Sequence, residues 1–479
     1  MKESGRTYDV VVIGAGPVGE NVADRTRAAG LSTVVVENEL IGGECSFWAC
    51  EPSKGLLRPV LTRADATRMP GLDPAVARPL DAAAVFAHRD EMAAHWKDDD
   101  QVEWLAGAGV DLVRGQGRLD GPRRVTVTSA EGARTVLEAR HAVAVCTGTR
   151  PALPDLPDLA AARPWTNREA TSARQVPGRL AVVGGGPVAV EMSTAFRALG
   201  AQVTMLVRGA RLLPRMEPFA GELVATGLRE AGVDIRFGRV VTSAERRGGP
   251  DDEVRLTLDD GDVLAVDEVL FATGRAPRTD DIGLETVGLT PGDWLGVDDS
   301  CTVTAVSEGW LYGVGDVNHR ALLTHQGKYQ ARIAGAVIGA RADGRTLDAR
   351  PWGPHTARAD TVAVPQVVFT DPEVATVGLT TIDAERAGRE VKVVDYDIAN
   401  VAGATQYGEG YRGRARMLVD RDRDIVVGVT FVGPGVAELL HSATVVVAGE
   451  THVERLWHAV PAFPTISEVW LRLLETYRG

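Results

Sequence analysis

The 479-residue sequence has only four cysteines, no long apolar run and no excess of basic residues. No stretch approaches the roughly 20 apolar residues that a membrane-spanning helix needs. The formal net charge of −13 at pH 7 argues against nucleic acid or an anionic membrane as a main partner. The N-terminal residues lead almost directly into an apolar strand without a signal-peptide pattern, so the expected compartment is the cytoplasm.

The composition is that of a globular protein. Hydrophobic residues make up 44% of the chain and charged residues 24%, and there are 53 glycines. A chain of this length is too long for one ordinary core and predicts two to four domains. The many glycines suit a fold in which backbone segments approach one another closely.

A glycine-rich turn follows the first apolar strand, residues 10–13. Gly14, Gly16 and Gly19 have the spacing GxGxxG, a helix follows, and the next strand ends on Glu37. This arrangement is the full dinucleotide fingerprint, in which the glycines allow a tight turn and a close approach to the pyrophosphate. The helix N-terminus faces the phosphates, and Glu37 can accept hydrogen bonds from ribose hydroxyls.

The same pattern returns in the middle of the chain. Gly184, Gly186 and Ala189 lie between a strand that ends at residue 183 and a helix, and a further strand covers residues 202–207. Two such units predict two bound nucleotides. The simplest pair is a flavin and a nicotinamide that pass a hydride between them, which predicts FAD and NAD(P)H as cofactors.

The second unit ends differently from the first. Where Glu37 closes the first unit, Arg208 follows the strand of the second, and Arg211 and Arg215 come close behind. An acidic residue there would repel the extra phosphate of NADPH, whereas arginines attract it. We therefore predict NADPH rather than NADH, with three solvated surface arginines as the alternative.

Two apolar strands run into a Thr-Gly pair followed by Arg and Pro. The first pair is Thr147 and Gly148, and the second contains Gly274. We predict that these residues contribute to nucleotide binding. Their position directly after a strand is where ligands bind in open parallel sheets.

A Gly-Asp pair at another strand end predicts the flavin side of the site. Gly315 and Asp316 end an apolar segment, and a helix begins near Thr324 and includes His325. A carboxylate there can hold a ribityl hydroxyl, and the positive end of the helix can stabilise negative charge on a reduced flavin. The chain from about residue 360 has strands and then helices, an order typical of α+β structure, with a surface loop predicted at residues 394–413.

These features in this order resemble the FAD-dependent pyridine nucleotide–disulfide oxidoreductases, a family that includes dihydrolipoamide dehydrogenase, glutathione reductase, mercuric reductase and soluble transhydrogenase. The resemblance covers essentially the whole chain. It implies an α/β fold with two Rossmann-like dinucleotide-binding domains plus a C-terminal α+β dimerisation domain, and a homodimer whose active sites draw on both subunits. The predicted boundaries are 1–155 and 280–355 for the FAD-binding domain, 156–279 for the NAD(P)-binding domain and 356–479 for the dimerisation domain.

Two cysteines lie close together in the segment GGECSFWACEPSKGLLRP, residues 42–59. A close pair in a cytoplasmic chain is more often catalytic than structural. By the resemblance, Cys45 and Cys50 form a redox-active disulfide in which Cys50 contacts the flavin as a thiolate and Cys45 exchanges with substrate. Two buried thiols without redox function are the alternative. Cys146 and Cys301 lie in strand-like segments and are interpreted as core or surface residues.

The resemblance also assigns a lysine–glutamate pair. The sequence departs from the family pattern at one position near the C-terminus. Lys54 of Pro-Ser-Lys pairs with Glu191 in the family pattern, and both are present. Near the C-terminus the family has His-Pro-Thr-x-x-Glu, whereas this chain has Phe463 in place of the histidine and keeps Glu468. Loss of such a general acid–base costs about 10²- to 10⁴-fold in rate. His458 is at the wrong spacing to replace it and is interpreted as a surface or dimer-contact residue.

A second departure lies between the cysteines, where most disulfide-reducing members have small residues. This chain has Phe47 and Trp48, and soluble transhydrogenases also have a tryptophan there and lack the catalytic histidine. A carboxylating branch keeps both cysteines and has phenylalanine at the histidine position, but it changes the glutamate. The aromatic pair is equally compatible with packing.

Three functional hypotheses stay open. The first is an NAD(P)H oxidoreductase with a working Cys45–Cys50 couple and an unusual small-molecule acceptor, either a disulfide with an acidic leaving thiol or another electrophile. The second is a flavin-level quinone or dye reductase, or a transhydrogenase, with a non-essential disulfide. The third is a non-catalytic flavin-bound or redox-sensing subunit. No metal site is predicted.

Overall fold

The computed structural model describes residues 4–249 and 252–479, and these divide into two compact units. The first unit takes in the described chain up to Glu51, Asp90–Pro151 and Arg275–Thr361, and the second takes in Pro52–Arg89, Ala152–Gly274 and Val362–Gly479. Three helices cross the division: Cys50–Arg68, Ala82–Met92 and Ala359–Val362. The predicted boundaries of three domains stay a prediction.

A seven-stranded sheet forms the centre of the first unit. Six strands lie in the order Asp111–Arg114, Thr33–Glu37, Ser4–Ile13, Arg134–Val145, Arg124–Thr128 and Gln116–Leu119, and Leu311–Gly313 also pairs with Arg134–Val145. The central pairs are parallel. Residues 10–13, 33–37 and 142–145 of these strands are buried, as the continuous valine runs predict for strands covered on both faces. A separate pair, Thr149–Pro151 with Arg275–Pro277, is antiparallel.

The helices that lie wholly in the first unit are Pro17–Ala28, Gly43–Trp48, Asp99–Gly107 and Thr324–Ala342. The first and last of these pack closely because glycines face the contact. A Cβ on Gly335 would lie 2.4 Å from Cβ of Arg25, and a Cβ on Gly339 would lie 2.9 Å from Cβ of Ala29. This close packing fixes the start of Thr324–Ala342 against the first glycine turn.

The second unit contains a parallel sheet and an antiparallel meander. The parallel strands lie in the order Asp234–Phe237, Gln202–Val207, Arg179–Val183 and Glu268–Phe271, and the meander consists of Val241–Arg246, Val254–Leu258 and Val263–Val266. Its helices in this part of the chain are Asp73–Val76, Leu159–Ala162, Asn167–Ser172, Pro187–Ala198 and Pro218–Glu230. The strand–glycine turn–helix order predicted for residues 179–207 is therefore present.

The same unit has a five-stranded antiparallel sheet near the C-terminus. Its strands lie in the order Pro365–Val368, Glu373–Gly378, Ile425–Gly433, Arg414–Asp420 and Val391–Asp397. The helices are Thr381–Arg386, Ala402–Thr405, Val436–Ala448, Val453–Leu456 and Val469–Arg478. Across the described ranges, no helix combines the length and the apolar character that crossing a bilayer requires.

One expectation about this sheet was only partly right, because residues 394–413 join two of its strands but are not a surface loop throughout. Residues 394–413 were expected to form a surface loop, but they begin inside the strand Val391–Asp397 and include the helix Ala402–Thr405. Ile398, Val401 and Ala404 are buried. The polar and glycine-rich composition concealed these three apolar residues, whose spacing of three places them on one face of the short helical turns.

Candidate active site

The first glycine turn has the geometry that a dinucleotide requires. Gly14 has φ of 99°, and a Cβ there would lie 2.6 Å from the carbonyl oxygen of Cys146. A Cβ on Gly19 would lie 1.9 Å from the carbonyl oxygen of Gly14. Gly16 begins the helix Pro17–Ala28 without a side-chain cap, so the first N–H groups of the helix are available to an anion.

Three polar side chains at the strand ends fit the rest of the nucleotide. Glu37 accepts the backbone N–H of Ala15 at 2.7 Å and that of Glu39 at 2.8 Å, and each carboxylate oxygen keeps acceptor capacity for a hydroxyl. Thr147 Oγ1 is buried and has no hydrogen-bond partner within the described residues. Burial raises the pKa of Asp316. A ligand with hydroxyl groups would satisfy both of these buried groups.

The other predicted residues of this site lie beside these groups. The Asp316 carboxylate accepts a hydrogen bond from Thr149 Oγ1 at 2.8 Å. Gly148, with φ of 66°, directly precedes Thr149, and the N–H of Gly315 donates to Gln330 Oε1 at 2.7 Å. His325 is exposed on the helix Thr324–Ala342.

The cysteine pair lies at a break between two helices. Cys45 belongs to the helix Gly43–Trp48 and Cys50 begins the helix Cys50–Arg68. Ala49 between them has φ of −136° and ψ of −97°, which ends the first helix. Both cysteines are reduced. A Cβ on Gly43 would lie 2.9 Å from Gly16 Cα, so the helix of Cys45 begins against the first glycine turn.

The two sulfurs share a hydrogen-bonded environment. Cys50 Sγ lies 3.3 Å from Thr324 Oγ1. A hydrogen bond with Cys50, followed by burial, raises the pKa of the Cys45 thiol, and Thr324 acts in the opposite direction. The Cys45 thiol therefore loses its proton less readily than an isolated cysteine does.

A strained turn holds the segment between the cysteines. The side chain of Trp96 donates to the carbonyl oxygen of Phe47 at 3.0 Å. Ala94, His95 and Trp96 all have positive φ, from 45° to 56°, which costs roughly 1–2 kcal/mol for each non-glycine residue. Phe47 is fully buried, so the aromatic residue that departs from the family pattern is part of the packing.

The second glycine turn resembles the first in its backbone. Gly184 has φ of 134°, and a Cβ there would lie 2.4 Å from the carbonyl oxygen of Ala272. Gly186 begins the helix Pro187–Ala198 without a side-chain cap, and a Cβ placed on it would have no heavy atom of the described residues within 4 Å beyond its own chain neighbourhood. Ala189 is buried in that helix. The open space at Gly186 fits a second phosphate-bearing ligand.

The arginine segment lies next to this second turn. Arg208 is exposed directly after the strand Gln202–Val207. The carbonyl oxygen of Arg211 lies 3.7 Å from a Cβ placed on Gly185. Arg215 is also exposed. Gly274, the other predicted residue in this part of the unit, has φ of 143°.

Lys54 and Glu191 form an ion pair within the second unit. Lys54 Nζ donates to Glu191 Oε2 at 2.8 Å, and the backbone N–H of Phe369 donates to Glu191 Oε1 at 3.1 Å. The ammonium group lies 4.9 Å from the centre of the Phe369 ring. Glu191 is buried, so both of its oxygens require these donors.

The C-terminal segment leaves a carboxylate oxygen without a donor. Glu468 is buried, its Oε1 accepts Arg472 at 2.6 Å, and its Oε2 has no hydrogen-bond partner within the described residues. Phe463 is 75% exposed and Val460 is 85% exposed. His458 is also exposed. In the family pattern, a histidine at position 463 would supply the N–H group that Glu468 lacks here.

The sequence comparisons bear directly on this arrangement. Residues 8–335 match the family described as pyridine nucleotide-disulphide oxidoreductase, and residues 364–473 match its dimerisation domain. The chain belongs to this family. The predicted family, the α/β fold class with its C-terminal dimerisation domain, and the assignment as an oxidoreductase are thereby confirmed.

The similarity to individual members of the family extends over nearly the whole chain. The chain is 34% identical to dihydrolipoyl dehydrogenase 3 of Pseudomonas aeruginosa over 96% of each chain. It is 30% identical to dihydrolipoyl dehydrogenase of Thermus scotoductus over 98% of this chain and 97% of the relative. Among solved structures, LpdA of Mycobacterium tuberculosis has a TM-score of 0.81 at 24% identity and covers 98% of this chain and 99% of its own.

A further solved structure supports the same fold. It is the HOCl-induced flavoprotein disulfide reductase RclA of Escherichia coli, with a TM-score of 0.82, 22% identity and coverage of 98% of this chain and 99% of its own. Membership in the family supports FAD and a pyridine nucleotide as cofactors. The first glycine turn, Glu37 and the unsatisfied hydroxyl of Thr147 fit the FAD of such an oxidoreductase.

Sequence reasoning gave no role to three residues of these sites. Thr324 was noted only as a helix start, and its contact with Cys50 depends on how that helix packs. Trp96 and Phe369 reach their partners from distant parts of the chain, since Trp96 is 49 residues from Phe47 and Phe369 is 178 residues from Glu191. A single sequence carries no signal for such long-range contacts.

Glu20 is a further, partly buried group in the helix of the first glycine turn. Its Oε1 is buried without a hydrogen-bond partner within the described residues. Burial raises its pKa to about 7, although Lys328 acts in the opposite direction. The neutral acid therefore stabilises the folded state below the unfolded-state pKa of about 4.5, and this contribution is lost as the pH rises through about 7.

We predict that Glu20→Gln stabilises the holoenzyme at pH 8 but not at pH 5. Relative to the natural protein, the variant should gain about 2 kcal/mol of unfolding free energy between these two pH values. The measurement is urea denaturation at both pH values, with Glu103→Gln on the exposed face of the helix Asp99–Gly107 as control. An equal effect of Glu20→Gln at pH 5 and pH 8 would contradict the prediction.

Proposed function

We propose that the protein is an NAD(P)H-dependent oxidoreductase that uses the Cys45–Cys50 couple to reduce an acceptor with an acidic leaving group. The observation that carries the proposal is the hydrogen-bonded pair of thiols at the first glycine turn, with Thr324 against Cys50. Bound FAD supplies the two-electron chemistry that links a nicotinamide to a disulfide. Cys45 is the residue that exchanges with the acceptor, and Cys50 closes the disulfide.

The Lys54–Glu191 pair supports a reduction half-reaction of this kind. The buried carboxylate of Glu191 holds the partly exposed ammonium group of Lys54 in place, and a cation stabilises negative charge that develops during reduction. Phe369 fixes the pair through its backbone N–H and its ring. We therefore propose that Phe369 is a positioning residue that holds Lys54 and Glu191 in place.

The C-terminal segment supports the choice of acceptor. Phe463 cannot donate a proton, and Glu468 Oε2 has no donor within the described residues. A leaving thiol of high pKa departs slowly unless an acid protonates it, whereas a thiol of low pKa departs as the thiolate. An acceptor that releases an acidic thiol therefore suits this chain better than an aliphatic disulfide.

We further propose NADPH as the coenzyme and a homodimer as the working form. The position of Arg208 and Arg211 beside the second glycine turn supports NADPH, because an arginine attracts the additional phosphate. The match to a dimerisation domain supports a dimer, and a second copy of the chain would cover the exposed side chains of Val460 and Phe463. The cytoplasm stays the predicted compartment.

A second candidate function is a flavin-level reductase of quinones or dyes, or a transhydrogenase, in which the disulfide is not essential. The raised pKa of Cys45 favours it, because a protonated thiol is a poor nucleophile. Under this alternative the cysteine pair would be regulatory or vestigial.

Thiol counting distinguishes the two candidates. The air-oxidised holoenzyme is treated anaerobically with two equivalents of NADPH, quenched, unfolded and alkylated, and the labelled cysteines are identified by mass spectrometry. We expect Cys45 and Cys50 to be labelled only after NADPH, while the buried Cys146 and Cys301 are labelled in both samples and act as internal references. Labelling of all four before NADPH, with quinone turnover unchanged in Cys45→Ser, would favour the second candidate.

A further inference from the structure

A side chain from a distant turn reaches the end of the helix that carries Cys45. That helix is Gly43–Trp48, and the indole N–H of Trp96 donates to the carbonyl oxygen of Phe47 at 3.0 Å. Phe47 is fully buried. The last carbonyl groups of a helix have no N–H donor from the helix itself, and buried carbonyl oxygens need one. Trp96 supplies such a donor.

The same turn is attached to the chain just before this helix. The carboxylate of Asp98 accepts the backbone N–H of Ile41 at 2.8 Å and the side chain of Arg114 at 2.5 Å. Ile41 is fully buried. Residues 93–98 therefore form a clamp, which contacts the chain before the helix through Asp98 and the end of the helix through Trp96.

The backbone of the clamp is strained. Ala94, His95 and Trp96 have φ between 45° and 56°, a region that is unfavourable for residues with a Cβ. The backbone N–H of Trp96 donates to the carbonyl oxygen of Ala93 at 2.8 Å and closes the turn. Strained backbone persists only where the surrounding structure fixes it, and it is concentrated at functional sites. The strain indicates a role for the contact that this turn makes.

The break between the two cysteines is a condition for their disulfide. In a continuous α-helix, residues five positions apart are separated by about 7.5 Å along the axis and roughly 140° around it. The Cα atoms of a disulfide are usually no more than about 6.8 Å apart, so Cys45 and Cys50 could not bond in a continuous helix. The φ of −136° and ψ of −97° at Ala49 end the first helix between them.

We propose that Trp96 is a positioning residue that sets the redox equilibrium of the Cys45–Cys50 couple by stabilising this break. The inference rests on the proposed use of the couple. In the disulfide the S–S bond enforces the break, so the carbonyl oxygen of Phe47 keeps its need for a donor. In the dithiol the segment can relax when the donor is lost. Loss of the indole N–H therefore destabilises the disulfide more than the dithiol.

The equilibrium on which Trp96 acts is a two-electron exchange, and dithiothreitol is the probe. Reduced dithiothreitol gives up two electrons and two protons and becomes its cyclic disulfide. The bond between the sulfurs of Cys45 and Cys50 breaks, and each sulfur takes one of the protons. The ratio of the two forms of dithiothreitol at half conversion measures the stability of the Cys45–Cys50 disulfide.

The test is a redox titration of the holoenzyme. The protein is equilibrated without oxygen in mixtures of oxidised and reduced dithiothreitol, quenched with acid, unfolded and alkylated, and labelling of Cys45 and Cys50 is measured by mass spectrometry. We expect Trp96→Phe to shift the equilibrium about tenfold towards the dithiol, because a buried acceptor loses its donor. A tenfold shift corresponds to a midpoint potential about 30 mV higher.

Two further variants complete the test. Trp104→Phe makes the same substitution at a 45% exposed position in the helix Asp99–Gly107 and should leave the equilibrium unchanged. Asp98→Ala releases the other contact of the clamp and should also shift the equilibrium towards the dithiol. Equal FAD content establishes that a variant folds, and if Trp96→Phe does not bind FAD, the midpoint of Asp98→Ala decides the outcome.

A merely structural role would lower the unfolding temperature of the oxidised and the reduced protein equally and would leave the midpoint unchanged. An unchanged or lower midpoint in Trp96→Phe would overturn the inference, as would an equal shift in Trp104→Phe.

Failure of the proposed function has a different signature. If the natural protein shows no Cys45–Cys50 disulfide in any mixture, both the proposed function and the positioning role are overturned. If the midpoint shifts as expected but Cys45→Ser still reduces 5,5′-dithiobis(2-nitrobenzoic acid) at the natural rate, the proposed function fails and the positioning role of Trp96 stands.

Discussion

Replacing Phe463 by histidine is expected to raise the turnover of aliphatic disulfides by about 10²- to 10⁴-fold, because general acid–base groups contribute rate factors of this size. The buried Glu468 Oε2 has no donor within the described residues and can accept the new N–H group, which would orient the imidazole. Turnover is measured with NADPH and bis(2-hydroxyethyl) disulfide. The aromatic disulfide 5,5′-dithiobis(2-nitrobenzoic acid), whose thiol is acidic, should be affected little.

The controls separate the imidazole from a change in packing. Phe463→Leu keeps an apolar side chain and should leave the ratio of the two disulfide rates unchanged. Adding Glu468→Gln to Phe463→His should remove part of the gain, since the carboxylate stabilises a protonated imidazole better than an amide does. A Phe463→His variant with the same rates as the natural protein on both disulfides would show that position 463 does not act at the exchanging thiol.

Reversal of the charge at Arg208 is expected to lower kcat/KM for NADPH by about 10²-fold, because a charge-assisted hydrogen bond to phosphate is worth about 1.5–3 kcal/mol and a carboxylate adds repulsion. The variant is Arg208→Glu, measured with NADPH and with NADH. The rate with NADH, which lacks the extra phosphate, should change little. The natural protein should prefer NADPH.

A matched variant tests whether the effect is local. Arg174→Glu makes the same change of net charge at an exposed position in the same unit and should leave both coenzymes unaffected. If the natural protein used both coenzymes with equal efficiency, or if Arg208→Glu lost activity with both equally, Arg208 would not be the group that selects NADPH. Either result would indicate that the protein uses NADH or does not discriminate between the two coenzymes.

Much of the two nucleotide-binding sites could be predicted, because the glycine motifs that form them are short and local in sequence. The glycines at 14, 19 and 184 occupy positions where a Cβ would lie within 3 Å of a backbone carbonyl oxygen. A tight turn between a buried strand and a helix requires this spacing whatever surrounds it. The family match to residues 8–335 agrees with the predicted order of motifs.

The residues missed by sequence reasoning act through packing. Thr324 meets Cys50 across 274 residues of sequence. Trp96 reaches the carbonyl oxygen of Phe47 through a turn of three residues with positive φ, which orients the indole N–H towards it. The buried turns at residues 398–404 were missed because their polar and glycine-rich sequence is also typical of loops.

The sequence by itself determined the family, the two glycine turns, the cysteine pair and the missing histidine, because each of these is a short pattern fixed by backbone sterics or by the identity of one residue. Only the tertiary structure decided which groups surround the sulfurs and which buried carboxylate oxygens lack a hydrogen-bond partner within the described residues. Hydrogen bonds over 100 or more residues depend on how helices and strands pack, and that information is spread over the whole chain.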